Sequence, residues 1–370
     1  MPSFFKGKKV LFFVTEELYF RSHRLALAQA LHHEGAVVSV ATVPAIGAPP
    51  MTGIRLLPFP WDRKSLNPWK EGKALTRLIR LLRQENPDYL INVSLKPVLY
   101  GAVAALFQKR VRCFNLITGL GYIFTENTIK ANGLRDILLL VLRFLLKSTG
   151  VIVQNPDDLR IFRFAPHLFL VKGSGVDCAH FTPQLEPEGP CTIIFPARML
   201  WHKGIQEFVT AAQYLKEPFP EARFWLVGRS DPKNPAAVPL ETLRRWEQLG
   251  NVTWLGERED MASLYAAAHI VCLPSYREGA PKALLEAAAS GRPIVTTDTV
   301  GCREIVCHGD NGLLVPPRTV EPLIEALSAL IRSPQERLRM GRRGRERAVQ
   351  EFAQEKICAE TLQIIRHFPA

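Results

Sequence analysis

Ser275-Tyr276-Arg277-Glu278-Gly279-Ala280-Pro281-Lys282-Ala283-Leu284-Leu285-Glu286-Ala287-Ala288-Ala289-Ser290-Gly291-Arg292-Pro293-Ile294-Val295 carries two glutamates across what reads as a loop-to-helix junction. The run Ala268 to Leu273 before it has the apolar composition of a buried strand. Pro281 sits where the first turn of a helix tolerates proline, and Gly291-Arg292-Pro293 ends that helix. Glu278 is thus expected in the loop and Glu286 on the helix. Backbone N–H groups around Gly279 and Ala280 would form an anion site fit for a diphosphate. Glu278 could then accept hydrogen bonds from sugar hydroxyls and Glu286 from a ribose. Glutamates at and after a helix start are also ordinary, because the helix dipole favours them there, and spacing alone leaves both interpretations open.

Outward from this stretch the chain alternates short apolar runs with helical patterns. In the first half, strands are expected at 8–14, 36–42, 54–59, 88–93, 111–116 and 150–154, with helices at 21–34, 73–85, 97–108 and 133–148. In the second half strands are expected at 192–197, 222–228, 251–255, 269–273, 293–297 and 312–315, each separated by a helical segment. Such alternation specifies parallel sheets with helices on both faces. The expected fold is α/β, with two Rossmann-like doubly wound domains, residues 1–182 and 183–353, facing a cleft. Gly173 to Pro190, rich in proline and glycine, reads as the linker. The Arg-rich segment 337–347 reads as a solvated helix. Ligands of open parallel sheets bind at the carboxyl ends of the strands, so one substrate is expected at each sheet.

The stretch from Glu278 to Glu286 resembles the two-glutamate signature of retaining GT-B glycosyltransferases of family 4. The resemblance extends to Phe195-Pro196-Ala197-Arg198 with His202-Lys203-Gly204, Trp225-Leu226-Val227-Gly228, Gly173-Ser174-Gly175-Val176-Asp177 and Asn311-Gly312-Leu313-Leu314-Val315-Pro316. It implies that Glu278 binds donor-sugar hydroxyls, that Glu286 binds the ribose, that Gly228 borders the donor, and that Arg198 and Lys203 neutralise the departing diphosphate. It further implies that a terminal helix, residues 354–370, crosses back to pack on the N-domain. No Asp-x-Asp occurs in the sequence, so no metal and no cofactor besides the nucleotide sugar are expected. In the N-domain, expected to bind the acceptor, His23, Lys96, Thr118, Gly119 and Gly121 are candidates for acceptor or phosphate contact, since each follows a strand. His23 could equally cap a helix, and Thr118 to Gly121 could be a plain turn.

This half departs from the family pattern: Thr15 to Tyr19, expected as a loop, lacks paired glycines, and Lys96 stands about where many members carry a histidine. The departures resemble bacterial transferases that extend undecaprenyl-diphosphate-linked saccharides in surface polysaccharide or glycan assembly, often from a UDP-N-acetylhexosamine. The alternatives are an enzyme of the same fold acting on a soluble acceptor, a sugar-nucleotide epimerase, and a non-catalytic saccharide- or membrane-binding module.

Charge is distributed unevenly. Residues 1–182 hold 24 Lys+Arg against 12 Asp+Glu, and the remainder 23 of each, so the whole net charge of +12 lies in the first half. From Arg63 to Arg83 only Glu71 opposes seven cations, and Leu75, Leu78, Ile79 and Leu82 recur at helical spacing. Lys73, Arg77 and Arg80 are therefore candidates to meet an anionic membrane surface, although a solvated helix face reads the same way. No basic-aromatic stacking platform appears there, and nucleic acid is not expected as a partner. The seven cysteines include no Cys-x-x-Cys pair, which argues against a disulfide framework or a zinc site and suits a reducing compartment. No apolar run reaches the roughly 20 residues of a membrane span. The expected location is the cytoplasm, peripherally at the inner face of the plasma membrane.

Overall fold

The computed structural model describes residues 4–61, 67–108, 110–120, 129–232, 234–248 and 250–369. The chain forms two units, Met1–Ser174 with Lys356–Ala370, and Gly175–Glu355. The boundaries fall at 174/175 and 355/356 where the sequence suggested 182/183 and 353/354.

The first unit holds β1 (Lys9–Glu16), α1 (Glu17–His23), α2 (Leu25–His33), β2 (Val37–Val43), β3 (Ile54–Pro58), α3 (Pro68–Glu85), β4 (Tyr89–Val93), α4 (Leu95–Ala105), β5 (Arg112–Ile117), α5 (Ile129–Leu145), β6 (Gly150–Val153), α6 (Pro156–Ile161) and β7 (Leu168–Leu170). All strands are parallel in the order β3-β2-β1-β4-β5-β6-β7. Both faces of β1 are covered, and its side chains sort by period two. Val10, Phe12 and Val14 join a core with Phe20 and Leu27, while Leu11 and Phe13 join one with Leu78 and Leu82.

Several details differ from the sequence expectation. The single helix expected at 21–34 is broken at Arg24, whose φ of −130° is not helical, and Thr15–Tyr19 runs from strand into helix instead of forming a loop. The short α6 and β7 were not anticipated. Three residues in β7 give too little periodicity to read.

The second unit holds β8 (Thr192–Pro196), α7 (Ile205–Leu215), β9 (Arg223–Val227), α8 (Leu240–Glu247), β10 (Val252–Trp254), α9 (Met261–Ala266), β11 (Ile270–Leu273), α10 (Lys282–Ala289), β12 (Ile294–Thr297), α11 (Cys302–Ile305), β13 (Gly312–Val315), α12 (Glu321–Arg332) and α13 (Pro334–Glu351). Its sheet is also parallel, in the order β10-β9-β8-β11-β12-β13. The chain winds outward from β8 to β10, then returns to the other side of β8 to lay down β11. With right-handed crossovers, that reversal leaves a crevice at the carboxyl ends of β8 and β11, where ligands of such sheets bind.

The Arg-rich helix α13 is not simply solvated. Arg337 is buried, donates to the Leu330 carbonyl at 2.7 Å and pairs with Glu186 at 3.0 Å, and Arg345 donates to the carbonyls of Phe181 and Ala289 at 2.8 and 2.9 Å. These guanidiniums tie the segment after residue 177 to the body of the unit. Their fork of donors suits several carbonyls at once, a property the sequence does not reveal.

The last helix, α14 (Gln354–His367), belongs almost wholly to the first unit. Ile357, Leu362 and Ile365 enter the core beside Phe12 and Phe114, Arg366 pairs with Glu34 at 2.8 Å, and the Phe368 ring meets Phe114 edge-on at 4.7 Å.

Candidate functional site

In the second unit the crevice between β8 and β11 collects most of the residues singled out from sequence. Arg198 follows β8 by two residues, and Lys203 closes a 3₁₀ turn, Trp201–Lys203, that leads into α7. The strands pair Ile194 with Val271, so the loop leaving β8 meets the loop leaving β11. Lys203 Nζ contacts Glu278 Oε1, and Ser275 Oγ donates to the same oxygen at 2.7 Å. The lysine and glutamate side chains are mostly buried, at 16% and 13% exposure. A half-desolvated pair of this kind holds each partner's position far better than an exposed one.

The loop bearing Glu278 is fixed by its backbone. Tyr276 N–H donates to the His202 carbonyl at 3.0 Å, Glu278 N–H to the Val300 carbonyl at 3.0 Å, and the Thr297 and Thr299 hydroxyls donate to the Ser275 carbonyl. Gly301 permits the fit: its φ is +83°, and a Cβ there would lie 2.6 Å from the Glu278 carbonyl. His202 is half-buried beside Lys203, and those two causes lower its pKa to about 4, leaving a neutral ring at neutral pH.

Arg198 lies 3.6 Å from Asp231. Gly228, at the end of β9, has a φ of +152° and packs so closely that a Cβ would meet the Ala197 carbonyl at 2.0 Å. No larger residue fits between the two strand ends, and the turn bearing Arg198 is held there by Met199 N–H donating to Arg229 O at 3.1 Å.

Glu286 lies one turn into α10, whose N-terminus follows Gly279, Ala280 and Pro281. The buried Tyr265 donates to Glu286 Oε2 at 3.2 Å, and Lys282 lies 3.6 Å from Oε1. Burial raises the Glu286 pKa, opposed by Lys282 and Tyr265. Taken together, two cations and a helix N-terminus favour an anion, and two oriented carboxylates are placed to accept hydroxyl hydrogen bonds.

Sequence reading missed several supports of this site. Lys282 was legible as an i,i+4 partner of Glu286, but Tyr265 and Asp231 are remote in sequence and needed the fold. Tyr276 donates to the buried Glu207 at 2.6 Å and lies under Arg318, 4.6 Å from its ring centroid. No sequence signal marked that trio.

The first unit presents its candidates separately. Thr118 Oγ1 lies 3.1 Å from Ser94 Oγ, and Gly119 has a φ of +142°. Ser94, at the end of β4, holds φ +76°, a rare conformation for a side-chain-bearing residue. Lys96 lies 3.0 Å from Glu71 and near the rings of Trp61 and Tyr100, and Tyr100 donates to Glu71. His23 ends α1 instead of opening a helix, stacked on Tyr19 at 4.3 Å with Ser22 Oγ 2.6 Å from its Nδ1. Gly121 lies outside the described residues. On α3, Lys73, Arg77 and Arg80 are exposed opposite the buried Ala74, Leu78 and Leu82.

Comparison with known proteins places this arrangement. Residues 179–347 match the family model described as glycosyl transferases group 1, and residues 9–155 that described as glycosyl transferase 4-like. The chain is 30% identical over 316 residues to the N,N'-diacetylbacillosaminyl-diphospho-undecaprenol alpha-1,3-N-acetylgalactosaminyltransferase of Campylobacter jejuni, covering 80% of this chain and 82% of that protein. Among solved structures it is similar to the sucrose-phosphate synthase of Thermosynechococcus elongatus, with a TM-score of 0.81 at 20% identity over 97% of this chain and 98% of that one. It is also similar to Anabaena HepE in complex with UDP, with a TM-score of 0.75 at 16% identity over 97% and 99%. At those identities the solved structures establish the fold, and the relative of known activity establishes the kinship: the chain belongs to the group 1, family 4-like glycosyltransferases, built on the GT-B fold.

Proposed function

We propose that this glycosyltransferase moves an N-acetylhexosamine from its UDP form onto a saccharide carried on a polyprenyl diphosphate, with retention and without a metal, at an anionic membrane face. The observation that carries the donor half is Lys203 held against Glu278 beside Arg198 and the start of α10. The acceptor half is supported by the name of the Campylobacter relative. An acceptor hydroxyl oxygen forms the new bond to the anomeric carbon as the bond from that carbon to the diphosphate oxygen breaks. The electron pair departs with the diphosphate, and the hydroxyl proton goes to the leaving oxygen. Arg198 and Lys203 stabilise the charge that develops there. Glu278 orients the transferred sugar and Glu286 the ribose, while Gly279, Ala280, Pro281 and Gly228 form the backbone around the donor.

The test is a panel of UDP-, GDP- and ADP-sugars, followed by nucleoside diphosphate release with and without a polyprenyl-diphosphate-linked saccharide, in buffer and in EDTA. Acceptor-dependent release from a UDP-N-acetylhexosamine that survives EDTA is the expected result. Release only with added Mg²⁺ or Mn²⁺ would overturn the metal-free mechanism, and equal release with a soluble sugar would move the acceptor off the lipid.

For the membrane face, the exposed cations of α3 are the support. Each basic side chain near an anionic surface contributes about 1 kcal/mol. Reversing Lys73, Arg77 and Arg80 to Glu should therefore weaken binding to anionic vesicles at low salt by on the order of 10²-fold, with donor turnover in solution unchanged. Equal vesicle binding by wild type and variant would leave α3 as a solvated helix face.

A further inference from the structure

Helix α5 is apolar on two sides and covered on one. Leu142 and Leu146 are buried against Ile117, Val151 and Val153. On the opposite side Leu134, Ile137, Leu140, Val141 and Phe144 are 53%, 63%, 70%, 43% and 66% exposed. At 100° per residue these five fall within an arc of about 120°, three turns and roughly 15 Å long. One edge of the arc carries two exposed cations, Arg143 and, in the turn after the helix, Lys147, whose ammonium lies 5.8 Å from the Phe144 ring centroid, with the exposed Asp136 two turns earlier on the same edge. Asp136 is the only acid in α5, and Arg135 lies 3.9 Å from it. A contiguous exposed apolar stripe is uncommon on a soluble surface and marks an interaction site.

We infer that α5 is an interfacial helix: its apolar stripe seats in the acyl boundary of an anionic bilayer, with Arg143 and Lys147 reaching the lipid phosphates. Charge selects this occupant. A second copy would bring together two units whose residues 1–182 each carry net +12, whereas anionic lipid is attracted by that excess. Long cationic side chains at the stripe's edge keep their heads at the phosphates while the stripe is immersed. The stripe is too short to cross a bilayer, and no helix among the described residues is long and apolar enough to do so, so the helix lies in the plane of the interface. Both α3 and α5 pack against α4, which places the α3 cations in the same helical layer. The inference shares an anionic surface with the α3 proposal but differs from it physically. Binding through α3 is Coulombic and screened by salt, while immersion of α5 persists when salt is raised.

The experiment is vesicle flotation of the full chain, with and without phosphatidylglycerol, at low salt and at about 1 M salt, where the Debye length falls to about 3 Å. Leu140→Asp with Phe144→Asp should lower partitioning on the order of 10²-fold at both salts, because the deleted area is apolar. The Lys73, Arg77 and Arg80 reversals should act at low salt only. Since residues 140 and 144 are exposed, circular dichroism of the variant should match wild type. A second variant, Leu140→Trp, should show blue-shifted emission on adding vesicles. Unchanged partitioning of the Asp variant, an unshifted tryptophan, or no vesicle binding by wild type would overturn the inference. So would a variant that converts a sedimenting dimer to a monomer without changing vesicle binding, which would make the occupant a second copy. Loss confined to low salt would leave α3 alone responsible.

Discussion

Turnover falls on the order of 10²-fold when Lys203 is replaced by Ala, and further when Arg198 is replaced as well, as expected when charge stabilisation of a leaving diphosphate is removed. Lys203→Ala removes a cation and leaves Glu278 held by Ser275 alone at its Oε1. Arg198→Ala removes a cation that lies 3.6 Å from Asp231, at the strand end that Gly228 keeps close. Arg198 is about a third exposed, so Arg198→Ala should leave the thermal midpoint near wild type, whereas Lys203→Ala leaves the mostly buried Glu278 without its ion pair and should lower the midpoint. Circular dichroism should match wild type in both while steady-state turnover drops. A Lys203→Arg variant should recover part of the loss, because it restores charge but not the compact ammonium that fits beside Glu278. Full turnover by the double Ala variant would remove these residues from the reaction.

The second large effect separates the two glutamates. Glu278→Gln keeps the shape but removes the charge that faces Lys203, so a turnover loss of roughly 10- to 10²-fold is expected with a smaller change in donor KM, as for an interaction made mainly in the transition state. Glu286→Gln keeps an acceptor oxygen beside Tyr265 and loses the charge beside Lys282. Its expected signature is a donor KM raised about 10-fold, since a hydrogen bond to a charged group is worth about 1.5–3 kcal/mol, with turnover less affected. Titration with UDP alone should show the Glu286→Gln weakening and little effect of Glu278→Gln. The reverse pattern would exchange the two assignments.

Much of the second unit was legible in sequence because its signals are local. Pro281 and Gly291 bracket α10, and β8, β9 and β11 are apolar runs apart from Thr192 and Arg223 at the starts of β8 and β9. The first unit was harder to read. Arg24 breaks a helix that propensity would carry through, and β7 depends on pairing with β6 for its existence. The α13 arginines read as solvated because periodicity reports which residues are polar, while the carbonyls they reach lie more than 50 residues away in the chain for Arg345. The exposed face of α5 was hidden for a related reason: a helix apolar on both sides looks in sequence like one that is buried all round.

By itself the sequence determined the order of most strands and helices, the placement of Glu278 in a loop and Glu286 on a helix, and the basic excess of the first 182 residues, because each depends on neighbours within a few turns of chain. Only the tertiary structure decided that Lys203 meets Glu278, that Tyr265 holds Glu286, that α14 completes the first unit's core, and which side of α5 stays uncovered. Those contacts join residues from 21 to several hundred positions apart, and they exist only once parallel pairing has fixed which strand ends lie side by side and which helix faces the sheets can cover.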